Sequence, residues 1–268
     1  METNSQDEQK PKRLKILCIH GTLTSAEFME HQMRFWTKKF KNQLEFIFYQ
    51  GNFVVDDRKI VVLTDLVSKK WHLQRGVPRR CHFEPGVFER QYAINTNLEP
   101  KHTNMLFKNL VEVINDHKGT IDGVIAFSRG AFFTFCFFDF LEQGFFKDLL
   151  KVKKVPYFAI LIGSHPGWGN RISRVPSLHL VGTRDYIFTC SEVSLTRFKK
   201  AELMRYPGGH KFPLLTAEIV EGVLAFVESV RGDPSRYRVF VEKVYSRGEE
   251  GGGDDGTDRI IGGFSPKL

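Results

Sequence analysis

Residues 121–140 read Ile-Asp-Gly-Val-Ile-Ala-Phe-Ser-Arg-Gly-Ala-Phe-Phe-Thr-Phe-Cys-Phe-Phe-Asp-Phe, and they leave the chain few folds to choose from. Residues 123–127 form a short apolar run with β-branched members, the length of a strand buried in a parallel sheet. Ser128-Arg129-Gly130-Ala131 then turns into an aromatic-rich helical segment, residues 131–146, that is apolar nearly all round. Such a helix is expected to pack centrally against a sheet. A serine between a buried strand and a helix, with the small Ala126 and Gly130 two places either side, has the form of a nucleophile elbow. The neighbours must be small because the turn is tight. The helix behind the turn directs N–H groups and a positive dipole end at the hydroxyl.

The rest of the chain alternates in the same way. Strands are expected at residues 14–19, 44–49, 155–162, 177–182 and 201–206, and helices at 26–40, 101–117 and 213–230. Ser25 or Thr24 caps the first helix, whose apolar side is Phe28, Met33, Phe35 and Trp36. The last helix is expected to turn Leu214, Leu215, Ile219, Val223, Phe226 and Val227 inward. The pattern predicts an α/β fold, a doubly wound and mostly parallel sheet, in one domain over residues 13–231. Residues 1–12 read as a disordered lead-in. Residues 232–268 read as a partly flexible extension with room for an edge strand at 237–245. Residues 51–100 are irregular, with one strand or short helix at 60–67, and suit a lid, a pocket wall or a surface excursion.

In doubly wound sheets the active groups gather at the carboxyl ends of strands. The residues there are His20 and Gly21, Ser128, Gly163 and Ser164, Asp185, and His210. Ser128, Asp185 and His210 stand in the order nucleophile, acid, base, as in α/β-hydrolases. A serine hydroxyl needs a base within hydrogen-bond reach, and imidazole suits the task. An aspartate fixes its tautomer and stabilises the imidazolium. Taken singly, His210 reads as a surface histidine and Asp185 as a helix cap; the ordered set favours catalysis. The backbone N–H groups of Thr22 (or Leu23) and Arg129 are the expected oxyanion donors, and His20 is read as structural.

Composition removes other classes. The formal charge is +8, from 39 Lys and Arg against 31 Asp and Glu, but no basic tail or finger spacing concentrates it. A basic solvated surface is therefore expected, with no specific nucleic-acid partner. No His or Cys spacing suits a metal, and no glycine-rich phosphate loop follows the first strand, so neither metal nor cofactor is expected. The most apolar segment, 124–141, is interrupted by Ser128, Arg129 and Asp139, so no transmembrane segment is expected. With scattered cysteines and a polar start, the chain reads as cytoplasmic. The 25 phenylalanines cluster near residues 127–146 and would build a core or line an apolar pocket. Phe127, Trp71 and Trp168 are the pocket candidates.

These motifs resemble the FSH-type serine hydrolases, the α/β-hydrolase family that holds the ovarian-cancer-associated esterase group. The matching pieces are Leu17-Cys18-Ile19-His20-Gly21 with Ser25, residues 121–131, Leu180-Val181-Gly182-Thr183-Arg184-Asp185, and Gly208-Gly209-His210-Lys211-Phe212-Pro213. They span residues 12–230 apart from much of 53–100. The resemblance implies an α/β-hydrolase fold. It also implies a serine hydrolase that cleaves carboxylic esters or thioesters of acyl chains through Ser128, Asp185 and His210. Two residues depart from the family pattern. Ala126 stands where the elbow's first glycine is usual, and Arg129 stands where Gln is usual. The rival reading is a hydrolase frame kept as a binding or regulatory module with little turnover.

Overall fold

The structure, a computed structural model, describes residues 12–22, 24–51, 53–54, 80–81, 100–166 and 171–232. The elements expected at 60–67 and 237–245 lie outside them, as do residues 1–11 of the lead-in and 233–268 of the C-terminal extension.

The chain runs β1 (Leu14–Ile19), α1 (Ala26–Lys39), β2 (Leu44–Tyr49), β3 (Phe53–Val54), β4 (Arg80–Cys81), α2 (Pro100–Asp116) and β5 (Ile121–Phe127). It continues through α3 (Arg129–Glu142), β6 (Ala159–Ile162), β7 (Ser173–Gly182), α4 (Phe188–Leu195), β8 (Phe198–Tyr206) and α5 (Ala217–Gly232). Among the described residues, six strands pair in parallel in the order β2-β1-β5-β6-β7-β8, while β3 and β4 form a small antiparallel pair. The sheet first grows from β1 to β2, then reverses across β1 to β5. The crevice outside the carboxyl ends of β1 and β5 is thus the topological switch point, where open α/β sheets place their ligands. Ile19 pairs with Ala126 there, so the segments leaving the two strands start side by side.

The helix behind β5 is buried on every side. All residues from Gly130 to Leu141 are buried, and Phe133 stacks on Phe107 of α2 with ring centroids 4.6 Å apart. Phe137 stacks in turn on Phe146 at 5.4 Å. Each ring contributes roughly 1.5–3 kcal/mol by leaving water. Much of the aromatic excess therefore fills the core around α3.

Boundaries differ from expectation where a local device overrides the pattern. The central helix ends at Glu142 instead of 146, because Gly144 takes a φ of 78° and turns the chain so that Phe146 enters the core from a loop. Strand β6 is shorter than 155–162; Val155, Tyr157 and Phe158 are buried but lead in to the ladder. Strand β7 reaches back to Ser173 through an irregular register before Pro176, and β8 begins at Phe198 with Lys199 and Lys200 exposed. Phe35 and Leu214, expected inward, are 60% and 77% exposed. Leu214 precedes α5 and so does not follow its periodicity. Ser25, not Thr24, caps α1, its hydroxyl accepting the Phe28 N–H at 3.1 Å.

Glu142 closes α3 against the start of β7. Its Oε1 accepts the Ser173 hydroxyl and the Arg174 N–H, each at 2.8 Å. Burial nevertheless raises its pKa from 4.5 to about 7, outweighing these bonds. Since the folded value lies above the unfolded one, its contribution is whole below about pH 4.5 and is lost as pH rises through 7. Glu142→Gln is expected to flatten that slope, raising stability at pH 8 relative to wild type by on the order of 1–2 kcal/mol after allowance for partial exposure. Melting curves at pH 5 and pH 8 read the difference; parallel curves for both proteins would contradict it.

Candidate active site

Ser128 stands alone between β5 and α3 with φ 55° and ψ −122°, a region that L residues rarely occupy. Holding a serine there costs about 1–3 kcal/mol, and the surroundings show what enforces it. The Ser128 N–H donates to the Ile162 carbonyl of β6 at 2.9 Å, and its own carbonyl accepts the Ala131 N–H at 2.9 Å. Gly130 is pressed onto the end of β1. A β-carbon there would lie 2.4 Å from the His20 carbonyl oxygen and 2.6 Å from that of Ile19. Any larger residue would drive β1 and α3 apart.

The structure brings the three residues of the ordered set together. His210 Nε2 lies 2.8 Å from Ser128 Oγ, and His210 Nδ1 lies 2.8 Å from Asp185 Oδ2 and 3.1 Å from Oδ1. The aspartate has no other role for Nδ1 than to accept, so the imidazole proton sits on Nδ1 and Nε2 presents a lone pair to the serine. The Asp185 side chain is fully buried, and that of His210 is 13% exposed. Asp185 follows β7, and its Oδ1 also accepts the Ile187 N–H at 3.0 Å. His210 follows β8 on a turn braced by Tyr206, whose hydroxyl donates to the Lys211 carbonyl at 2.6 Å. Burial, with a smaller push from the Asp185 charge, raises the Tyr206 pKa, which keeps this phenol a donor.

Two further features border the imidazole: Gly163, which the sequence places at a strand end without a role, and Tyr186, which it does not single out. Gly163, after β6, has φ 55° and packs against the pair; a β-carbon on it would lie 3.0 Å from His210 Nδ1 and 3.1 Å from Asp185 Oδ2. Tyr186 is 74% exposed with its ring centroid 4.8 Å from that of His210. Phe127 approaches the same imidazole at 4.9 Å and packs on Phe212 at 5.3 Å. Of the other expected pocket residues, Trp71 and Trp168 lie outside the described residues.

The loop after β1 is held by His20, as the structural reading of that residue expects. His20 Nε2 accepts the Gly51 N–H at 3.0 Å, which leaves its proton on Nδ1, 2.7 Å from the Gly21 carbonyl. The Thr24 hydroxyl donates to the same carbonyl at 2.9 Å. In a trans peptide the following N–H points the opposite way, so both bonds fix the direction of the Thr22 N–H. Gly21 itself abuts Ser128, since a β-carbon there would meet Ser128 Cβ at 3.3 Å. Leu23, the alternative donor, lies outside the described residues. Arg129 opens α3 directly after Ser128, so its N–H belongs to the first turn, at the positive end of the helix dipole. Beside it, burial and then the Arg129 charge lower the pKa of His165, whose ring meets Phe132 one turn along α3. Among the described residues, no group of three or more His, Cys, Asp or Glu side chains is placed to hold a metal ion, and no helix is long and apolar enough to cross a membrane.

A family model, that of the serine hydrolases of FSH1 type, matches residues 9–221. An esterase of Drosophila melanogaster, CG5412, is 22% identical over 268 residues, covering 96% of this chain and 88% of that protein. The hydrolase phiM of Talaromyces stipitatus is 22% identical over 231 residues, covering 75% of this chain and 81% of its own. Among solved structures, acyl-protein thioesterase 2 of Zea mays shares the fold with a TM-score of 0.50 at 12% identity, over 82% of this chain and 96% of that one.

Proposed function

The chain belongs to the FSH1 serine hydrolase family, has the α/β-hydrolase fold, and on that premise we propose that it hydrolyses carboxylic esters or thioesters of acyl chains through Ser128, His210 and Asp185. The observation that carries this reading is the hydrogen-bonded series from the strained serine through His210 to a fully buried carboxylate.

In the first half-reaction Ser128 Oγ attacks the acyl carbonyl carbon while His210 Nε2 takes its proton. The carbonyl oxygen gains the electron pair and faces the N–H groups of Arg129 and Thr22. One such donor is worth roughly two to three orders of magnitude in rate. Asp185 stabilises the imidazolium across the 2.8 Å bond. As the tetrahedral adduct collapses, His210 gives the proton to the leaving alcohol or thiol, and the acyl-enzyme remains. Water then repeats the sequence, with His210 again as base, and the free acid departs. Phe127 packs beside the imidazole with Phe212 against it, so the base is backed by apolar rings.

Fluorophosphonate labelling of wild type, Ser128→Ala and His210→Ala, with a chain-length series of aryl esters and matched thioesters, tests the reading. Labelling and turnover confined to the wild type are expected. A folded wild type that neither labels nor turns over any of these substrates would leave only a binding role for the frame.

A further inference from the structure

Behind Gly163 lies a set of polar side chains that the reaction above does not use. Ser164, Ser177, His179, Ser191 and Ser194 are each no more than 2% exposed, at the junction of β6, β7 and α4. Their protons can be assigned without conflict. The Ser194 hydroxyl donates to the Ser191 carbonyl at 2.6 Å, which leaves its lone pairs for His179 Nδ1–H at 3.1 Å and for the Ser164 hydroxyl. The Ser177 hydroxyl donates to His179 Nε2 at 3.0 Å, and the Ser191 hydroxyl donates to the Ser164 carbonyl at 2.9 Å. Burial holds the His179 pKa down to about 3, so the ring stays neutral with a single N–H, as this pattern needs.

Five buried polar side chains at one junction are costly unless all are satisfied, and when satisfied they specify one arrangement sharply. Their location shows what is being specified. Ser164 directly follows Gly163, the residue packed against both Nδ1 of His210 and the carboxylate of Asp185. Ser191 and Ser194 lie on α4, which begins just after Asp185 and whose approach is fixed by the Ile187 N–H on Asp185 Oδ1. The serines therefore fasten the element that follows the acid to the turn that backs the acid–base pair.

We infer that Ser164, His179, Ser191 and Ser194 form a positioning device, which holds Gly163 against the Asp185–His210 pair and so sets the angle at which His210 faces Ser128. The inference rests on the reading of those three residues as the catalytic set. Displacements of about 1 Å at a reacting pair can cost two orders of magnitude in rate, whereas ground-state binding of an acyl chain is little affected.

The double variant Ser164→Ala/Ser191→Ala unties the corner and leaves the His179–Ser194 bond in place. It is expected to lower kcat about tenfold on an aryl ester with KM within about twofold of wild type. Ser164→Thr, which keeps the hydroxyl, is expected to retain most of the rate. Val223→Ala, buried in α5, serves as a control of lowered stability and is expected to keep wild-type kcat. A double variant within about twofold of wild type in kcat, or a control that loses as much, overturns the inference. A second readout does not depend on turnover. In proton spectra of nitrogen-15 histidine-labelled protein, the low-field Nδ1–H of His210 on Asp185 is expected to shift or vanish in the double variant. An unchanged resonance overturns the positioning role, whereas an inert, unlabelled wild type overturns the catalytic reading and leaves this spectral test standing.

Discussion

Replacing Ser128 by glycine is expected to abolish ester hydrolysis while leaving the protein no less stable than wild type. The catalytic half follows from the loss of the nucleophile. In enzymes of this design, removal of the serine costs about four to six orders of magnitude in kcat, and what is left comes from binding and oxyanion donors. The stability half follows from the backbone. At φ 55° and ψ −122° a β-carbon is strained, and glycine removes that strain. The relief of about 1–3 kcal/mol is offset by about 0.5–1 kcal/mol from the greater freedom of glycine in the unfolded chain. One hydroxyl bond to His210 is lost as well, so a melting temperature equal to or slightly above wild type is expected. Ser128→Ala loses the same activity and the same bond but keeps the strain, so it should melt below Ser128→Gly. Thermal melts of the three proteins, with turnover on one aryl ester, give the comparison. A glycine variant that melts well below the alanine one would mean that the strain at Ser128 is not relieved by losing its side chain.

The sheet was largely legible because its strands announce themselves. Residues 14–19, 44–49 and 123–127 are mostly apolar runs, and each lies in a strand; the first two keep their expected boundaries and the third starts two residues earlier, at Ile121. Legibility failed where a single residue overrides periodicity, as Gly144 does at the end of α3 and as the irregularity before Pro176 does in β7. The candidate residues Ser128, Asp185 and His210 could be picked out because each stands within a few residues of a strand's carboxyl end, and these ends lie along one edge of a parallel sheet. What the sequence could not show is the bracing. Ser164, His179 and Ser194 are separated in the chain and carry ordinary side chains; only the packing of α4 on β7 makes them one network. Gly163 stands at a strand end in the sequence reading, but its contact with the His210 ring is not legible there. Asp122 is a buried carboxylate in β5 that accepts the Lys15 N–H at 2.9 Å and pairs with Lys154. Such contacts join residues far apart in the chain, and no local pattern encodes them.

Asp185→Asn is expected to lower kcat about ten-thousandfold with little change in KM, although it alters only one atom. The reason lies in the second partner of the carboxylate. Oδ1 accepts the Ile187 N–H at 3.0 Å, so an asparagine would keep its oxygen there and turn its NH2 group towards His210 Nδ1. Nδ1 must then present a lone pair, and the imidazole proton moves to Nε2. That nitrogen faces Ser128 Oγ at 2.8 Å and would donate to it where the reaction needs it to accept. The base is thus switched off by tautomer, with the geometry intact. Asp185→Ala, which leaves the Ile187 N–H without its partner and Nδ1 without instruction, allows both tautomers and is expected to retain more activity than the asparagine variant. The order Asp185, then Ala, then Asn in kcat at pH 7.5 separates the tautomer account from a simple loss of negative charge, for which Ala and Asn should be equal. If the two prove equal, the carboxylate acts through charge alone, and an asparagine variant more active than the alanine one would mean that the bond from Ile187 has no part in setting the proton's place.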